Sequence, residues 1–295
     1  MKNGQKVNVL LLGNGINRAY DFGSWDNLLK SIQKQELTIE QQKTLDGIPY
    51  PLQAVIRTGD DVDTRMFENA KELTEMSPPV DEKEVLRACA GLPVDAILTT
   101  NYTYELEKSL AENFSCKIGS KCRYRGCTKP DAGKFERTQL HTVFDMGDGA
   151  PPIWHIHGEA AKHKTMIIGH YYYGKLIAKA QQYIANHMAI YKSCLSGKIN
   201  FTPNSWIDYL MLGDVYIVGL GMDISEMDLW WLVSCKKLHF TNTRVVLYKP
   251  DIKPAERMLA ETYKIDIVDG GLSGDDYKSY YRWVIEQLTI LISRD

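Results

Sequence analysis

One short stretch constrains this chain more than any other: Val7-Asn8-Val9-Leu10-Leu11-Leu12, followed at once by Gly13-Asn14-Gly15-Ile16-Asn17-Arg18. A short apolar run rich in branched residues reads as a strand buried on both faces. It stops at two glycines, which tolerate positive φ and let another group approach bare backbone. Ser24 stands as a candidate N-cap ahead of Trp25, Leu28 and Leu29, so a helix is expected to follow. Strand, glycine turn and helix in succession can present backbone N–H groups to a phosphate. The dinucleotide fingerprint has a third glycine, and here Arg18 stands in that place. Two readings stay open at this point: a phosphate cradle, or a tight turn between a strand and a helix.

The rest of the composition narrows the class of protein. With 295 residues, 44% hydrophobic and 24% charged, the chain has the make-up of a soluble globular protein. A net charge of −2 sets up no basic field for nucleic acid or anionic lipid. Lys121, Arg123, Arg125 and Lys129 cluster between Lys117 and Lys134, and a solvated loop is expected there. The six cysteines form no Cys-x-x-Cys pair, so the usual structural zinc spacing is missing. Free thiols in a reducing cytoplasm are the expectation. The N-terminus carries no signal-peptide pattern and no apolar run is long enough to span a membrane, which points to a cytoplasmic protein.

Residues 26–92 read as mainly helical, with Leu28, Leu29 and Ile32 on one amphipathic stretch and Val85, Leu86 and 88–92 on another. Pro49, Pro51, Pro78 and Pro79 break the region up. Strands are then expected at 94–100, 152–158, 165–168, 214–219, 244–248 and 265–268. Helices are expected at 104–113, 172–194 and 277–293, and through Asp228 to Val233. Residues 116–150 read as loop-rich, with 142–144 as an edge strand at most. Strands alternating with helices predict an α/β fold: a Rossmann-like, mostly parallel sheet with helices on both faces and a helical insertion after the first strand. The whole chain, 1–295, is expected to be one such domain, interrupted at about 26–92 and 116–150.

In sheets of this kind ligands collect at the carboxyl ends of the strands. Gly13-Asn14-Gly15, Thr99-Thr100-Asn101, His155-Ile156-His157-Gly158 and Gly219-Leu220-Gly221 all fall at expected strand ends. His155 and His157, two apart in a strand, are expected to share a face. They read as metal ligands, as core histidines, or, for His157 at the strand end, as a general base. Asn101 reads either as a helix cap or as an amide that orients a hydroxyl or a water.

Gly13-Asn14-Gly15-Ile16-Asn17 with Ser24-Trp25-Asp26-Asn27-Leu28-Leu29 resembles the N-terminal signature of the SIR2-like family of bacterial proteins. Thr99-Thr100-Asn101-Tyr102 is similar to that family's strand end with its Asn, and His157-Gly158 to its His-Gly. Gly219-Leu220-Gly221 with 225–231 resembles its late glycine turn and helix. The matches run from residue 8 to about 232 in the family's order. Sirtuins, which use NAD to deacylate lysine, differ: their paired Cys-x-x-Cys zinc module is missing here. Asn14 and Asn17 replace the alanine and serine of the sirtuin loop. The branch that the chain resembles includes NAD-consuming effectors of bacterial antiphage defence. That branch has an acidic residue after the Asn motif, and Thr103 stands in its place.

The resemblance implies an NAD hydrolase that cleaves the nicotinamide–ribose bond and yields ADP-ribose and nicotinamide. NAD is then the substrate, and no metal is needed. His157 is implied as the base and Asn101 as the holder of ribose or water. The implied binding set is Gly13, Asn14, Gly15, Asn17, Arg18, Thr100, Gly219, Gly221 and Asp228, with Gly13 and Gly15 cradling the diphosphate and Asp228 or Glu226 meeting a ribose hydroxyl. Such an effector needs control, so a homo-oligomer or a regulatory partner protein is implied, with no membrane or nucleic acid as partner. Trp230, Trp231 and 171–173 read as candidate contact residues or, more simply, as core packing. The alternatives are a protein deacylase and a non-catalytic NAD or ADP-ribose sensor.

Overall fold

The computed structural model describes residues 6–20, 25–45, 47–59, 65, 68–69, 73, 75, 83–129, 139–147, 149–223, 225–271 and 276–294. Its centre is strand β1 (Asn8–Leu12), whose five residues are all buried. Val9 and Leu11 enter one core, and Leu10 and Leu12 enter another on the opposite face. A strand sandwiched this way has no polar face, which is why it reads as an unbroken apolar run. β1 pairs in parallel with β2 (Ala96–Thr99) on one side and β6 (Asp214–Val218) on the other. The sheet extends through β5 (Ile153–His155), β7 (Val245–Tyr248) and β8 (Asp266–Val268), all parallel. With β3 (Arg125–Cys127) and β4 (Thr142–Phe144) beyond β5, the eight-stranded order is β3-β4-β5-β2-β1-β6-β7-β8. The expected α/β fold with a mostly parallel, Rossmann-like sheet is therefore observed.

Helices cover both faces. Val9 and Leu11 pack with α6 (His170–Leu195), α7 (Trp206–Leu212) and α8 (Met227–His239), through residues such as Leu176, Trp206 and Leu229. Leu10 and Leu12 pack with α4 (Lys83–Ala90), α5 (Glu105–Leu110) and α10 (Tyr277–Arg294), through Leu86, Leu106 and Val284. A further helix, α9 (Pro254–Thr262), precedes β8. Ser205 starts α7: its Oγ accepts from the Ile207 N–H and Asp208 completes the capping box. The insertion after β1 supplies α1 (Trp25–Ser31), α2 (Ile39–Leu45) and α3 (Tyr50–Thr58). Leu29, Ile32 and Ala54 from it pack on Tyr102, Met166 and Ile168, just beyond the ends of β2 and β5. The expected N-cap Ser24, and Pro78 and Pro79, lie outside the described residues.

Three local expectations are corrected. Residues 166–168 form no strand; a 3-10 turn, Ala160–Thr165, leads into them, and the Ile167 N–H donates to the His157 carbonyl instead of joining a ladder. β3 (Arg125–Cys127) is a strand that lacks any apolar alternation, held only by antiparallel pairing with β4 (Thr142–Phe144). Its Arg125 is not a solvated loop cation, because it is half-buried and paired with Glu159 at 2.5 Å. Among the described residues, no helix is long and apolar enough to cross a membrane.

Candidate functional site

The chain leaves β1 for β2 and β5 on one side of the sheet and returns to β6 and β7 on the other. The switch point lies between the carboxyl ends of β1 and β6, where a crevice opens in folds of this type. A cavity of about 580 Å³ is found there, within the range of small-molecule sites. Asn14, Gly15, Arg18, Thr100, Asn101, His157, Gly219 and Gly221 all line it. Four strand ends far apart in sequence thus meet at one place. Glu226, Asp223 and Lys249 join them on the wall.

Gly13, Asn17 and Asp228 do not line the cavity, and each has a structural task. The two glycine turns are packed backbone to backbone. The Gly13 N–H donates to the Val218 carbonyl (2.9 Å) and the Gly15 N–H to the Gly219 carbonyl (2.6 Å). A Cβ on Gly15 would stand 2.5 Å from the Gly219 oxygen, so only glycine permits this junction. Both amides are spent inside the protein, which corrects the expectation that they cradle a diphosphate. Arg18 is one cation on the wall, and its Nη1 donates to the Tyr277 hydroxyl at 3.2 Å.

The two histidines do not share a face. β5 ends at His155, so the alternation that pairs positions two apart breaks before His157. His155 is a core residue, with Nδ1 at 2.6 Å from the Asn101 carbonyl and Nε2 at 2.7 Å from Glu107 Oε1. Both neighbours are acceptors, so both ring nitrogens must donate and the imidazolium is favoured. Burial opposes that charge, but the Glu107 carboxylate outweighs it and lifts the pKa to about 9. This His155 does not line the cavity.

His157 does. Gly158, at φ +89°, turns the chain sharply behind it, and a side chain there would strike the Thr165 carbonyl. Nε2 of His157 donates to Asp228 Oδ2 at 2.7 Å, within a site where both residues are fully buried. Nδ1 is thereby left as the acceptor of the neutral ring. Burial pushes the His157 pKa down, and the Asp228 carboxylate overrides it, so the net shift is upward. Asp228 therefore orients the His157 ring and does not line the cavity. Glu226 is half-buried on the cavity wall, and desolvation pushes its pKa up to about 7 although His157 draws it down.

Sequence reasoning missed Glu105. The expected acidic residue beside the Asn motif was sought at position 103, where threonine stands. Glu105, the first residue of α5, is the carboxylate the structure brings to the motif, and it accepts from Asn101 Nδ2 at 2.7 Å. Its spacing of four from Asn101 was the available signal. Among the described residues, no group of three or more His, Cys, Asp or Glu is placed to hold a metal ion.

Fold and site together define an α/β protein with a histidine-bearing cavity at the switch point of a mostly parallel sheet. No protein-family model matches the chain, and no curated protein matches it. Among solved structures it is similar to a Sir2 homologue in complex with NAD, over 97% of this chain and 92% of that one, with 12% identity and a TM-score of 0.39. It is also similar to two mutants of a Sir2 homologue in complex with ADP-ribose, over 97% of this chain and 95% of theirs, with 12% identity and a TM-score of 0.37.

Proposed function

We propose that this protein hydrolyses NAD to ADP-ribose and nicotinamide. The observation that carries the reading is the meeting of Asn101 with the Asp228-held His157 in one cavity at the sheet's switch point. Breaking the C1′–N bond sends the electron pair to the nicotinamide nitrogen and leaves oxocarbenium character on the ribose. Pyridinium is already a good leaving group, so the site needs little acid catalysis. Water bonds to C1′ and gives up a proton, which His157 Nδ1 accepts, an effect worth on the order of 10²–10⁴ in rate. The Asn101 amide holds the ribose or the water. Arg18 faces the diphosphate from the wall, and Asn14, Gly15, Thr100, Gly219 and Gly221 line the path of the dinucleotide.

The physiological reading is a regulated effector that empties the NAD pool in bacterial antiphage defence, held in check by self-assembly or a partner protein. Exposed apolar side chains support a contact surface: Leu52, Val55 and Ile56 on α3, and Tyr171 on α6. Tyr173 and Trp230, by contrast, are buried and belong to the core.

The test is incubation with NAD and chromatographic analysis of products for wild type, Asn101→Ala and His157→Ala. Wild type is expected to release ADP-ribose and nicotinamide, and His157→Ala to lose about 10²–10⁴ of that rate. An unchanged NAD peak with every oligomer and trigger tested, or full activity in His157→Ala, overturns the mechanism. Release of acylated ADP-ribose from an acyl-lysine peptide would show a deacylase instead. Ligand binding without turnover would show a sensor.

A further inference from the structure

Cys116 and Cys122 enter the same core layer, 4% and 7% exposed, and neither lines the cavity at the switch point. The chain between them doubles back. The Ser120 N–H donates to the Lys117 carbonyl at 3.1 Å, the Lys117 N–H donates to Ser120 Oγ at 3.1 Å, and Gly119, at φ +75°, makes the turn. The Cys116 thiol is thereby brought to donate to Cys122 Sγ, which also accepts from the Tyr124 and Arg125 N–H groups. Arg125 Nη2 donates to Cys116 Sγ at 2.9 Å and to Glu159 Oε2 at 2.5 Å. Glu159 is itself held by the Tyr104 hydroxyl at 2.6 Å, and the Lys162 ammonium adds a second positive charge beside both sulfurs. Donors and cations of this kind favour negative charge on sulfur. The Cys116 hydrogen bond, helped by the two N–H groups and the Arg125 charge, pulls the Cys122 pKa down to about 6 against burial, and Cys116 is pushed up. Cys89 shows burial acting alone, which lifts that thiol to about 12.

We propose that Cys116 and Cys122 are an oxidisable dithiol, in which Cys122 reduces a peroxide and Cys116 then closes a disulfide onto it. The Cys122 sulfur attacks one peroxide oxygen and the O–O bond breaks. Its electron pair leaves on the other oxygen, which takes up a proton from solvent and departs as water. Cys122 is left as a sulfenic acid. The Cys116 sulfur attacks the Cys122 sulfur, the S–O bond breaks, and the departing hydroxide takes the Cys116 proton as a second water. The two cysteines together lose two electrons, and hydrogen peroxide gains them. The assignment is independent of the NAD reading, because it uses no residue of the cavity.

Treatment of the reduced full chain with hydrogen peroxide, followed by peptide mapping in a mass spectrometer without reduction, tests the assignment. A Cys116–Cys122 cross-link is expected, and dithiothreitol is expected to reverse it. In Cys116→Ser the reaction is expected to stop at a Cys122 sulfenic acid, which dimedone traps. The rate of cross-linking in wild type is expected to rise with pH to a midpoint near 6. The urea-unfolded chain is the reference, with the midpoint of an ordinary thiol at about 8.5. Circular dichroism checks the fold of the variant, and should it not fold, the comparison of folded and unfolded wild type decides by itself. Equal midpoints in the folded and unfolded chains overturn the assignment. A cross-link from either sulfur to the exposed Cys127, or a Cys116–Cys122 pair still reduced once Cys127 is fully oxidised, overturns it as well.

Discussion

The proposed chemistry turns on one residue, His157, and on the carboxylate that holds it. Asp228 raises the pKa of His157 above its ordinary value near 6.5. A general base works only when neutral. In the proposed reaction kcat/KM therefore falls on the acid side, with a midpoint above 6.5, and rises as pH passes the raised pKa. Asp228→Asn removes the charge that lifts it, so the acid limb is expected to move to lower pH. The plateau rate is expected to fall at least about tenfold as the ring loses its fixed orientation. A pH–rate profile of the two proteins checks both. An unmoved midpoint would mean that His157 is not the titrating base. Glu226, pushed up to about 7, titrates in the same window and lifts His157 further when charged. Glu226→Gln accordingly moves the acid limb in the same direction as Asp228→Asn.

Among the elements, the junction of the two glycine turns carries the site. The turn after β1 and the turn after β6 touch through backbone atoms, which cannot shift aside as a flexible side chain can. Gly15→Ala puts a methyl 2.5 Å from the Gly219 oxygen and must push the turns apart. Overpacking of this kind costs about 1–3 kcal/mol, to be read as a lower denaturant midpoint together with weaker ligand binding. Gly126→Ala is the control, since its added carbon meets nothing closer than Val143 at 4.0 Å. It is expected to change stability by less than about 0.5 kcal/mol. The glycines were legible in the sequence, but their use was not. Sequence reasoning assigned their amides to a phosphate, whereas the structure spends them on the last residue of β6 and the glycine after it, partners about 200 residues away in the chain.

At the scale of the whole molecule, the sheet gathers the site and the helical insertion covers it. Leu28, Ser31 and Tyr50 of α1 and α3 line the same cavity as His157, so a bound ligand ties the insertion to the sheet. A ligand of the native state alone stabilises it by about 2.7 kcal/mol at 100 times its Kd. For a chain of this size that is a rise in Tm of roughly 5 °C. NAD or ADP-ribose is expected to produce such a rise in a thermal melt of wild type. The rise is expected to shrink in Asn101→Ala, and no change with either ligand in wild type would count against the cavity as a nucleotide site.

By itself the sequence determined what depends on local pattern. Runs buried on both faces announced β1 and β6, and glycines marked where those strands end. Placing those ends together needed only the rule that ligands collect at the carboxyl side of a parallel sheet, and Asn101 and His157 do line one cavity there. Which side of a strand end a residue faces, and who bonds it, was decided by tertiary structure alone. His155 and His157 differ by two positions, yet one is locked to Glu107 in the core and the other to Asp228 at the cavity. Asp228 looked like a ligand contact and supports the His157 ring, while Glu105 passed unnoticed and holds the Asn101 amide. The physical reason is that a side chain's role follows from its partners, and these partners lie 4 to 71 residues away along the chain.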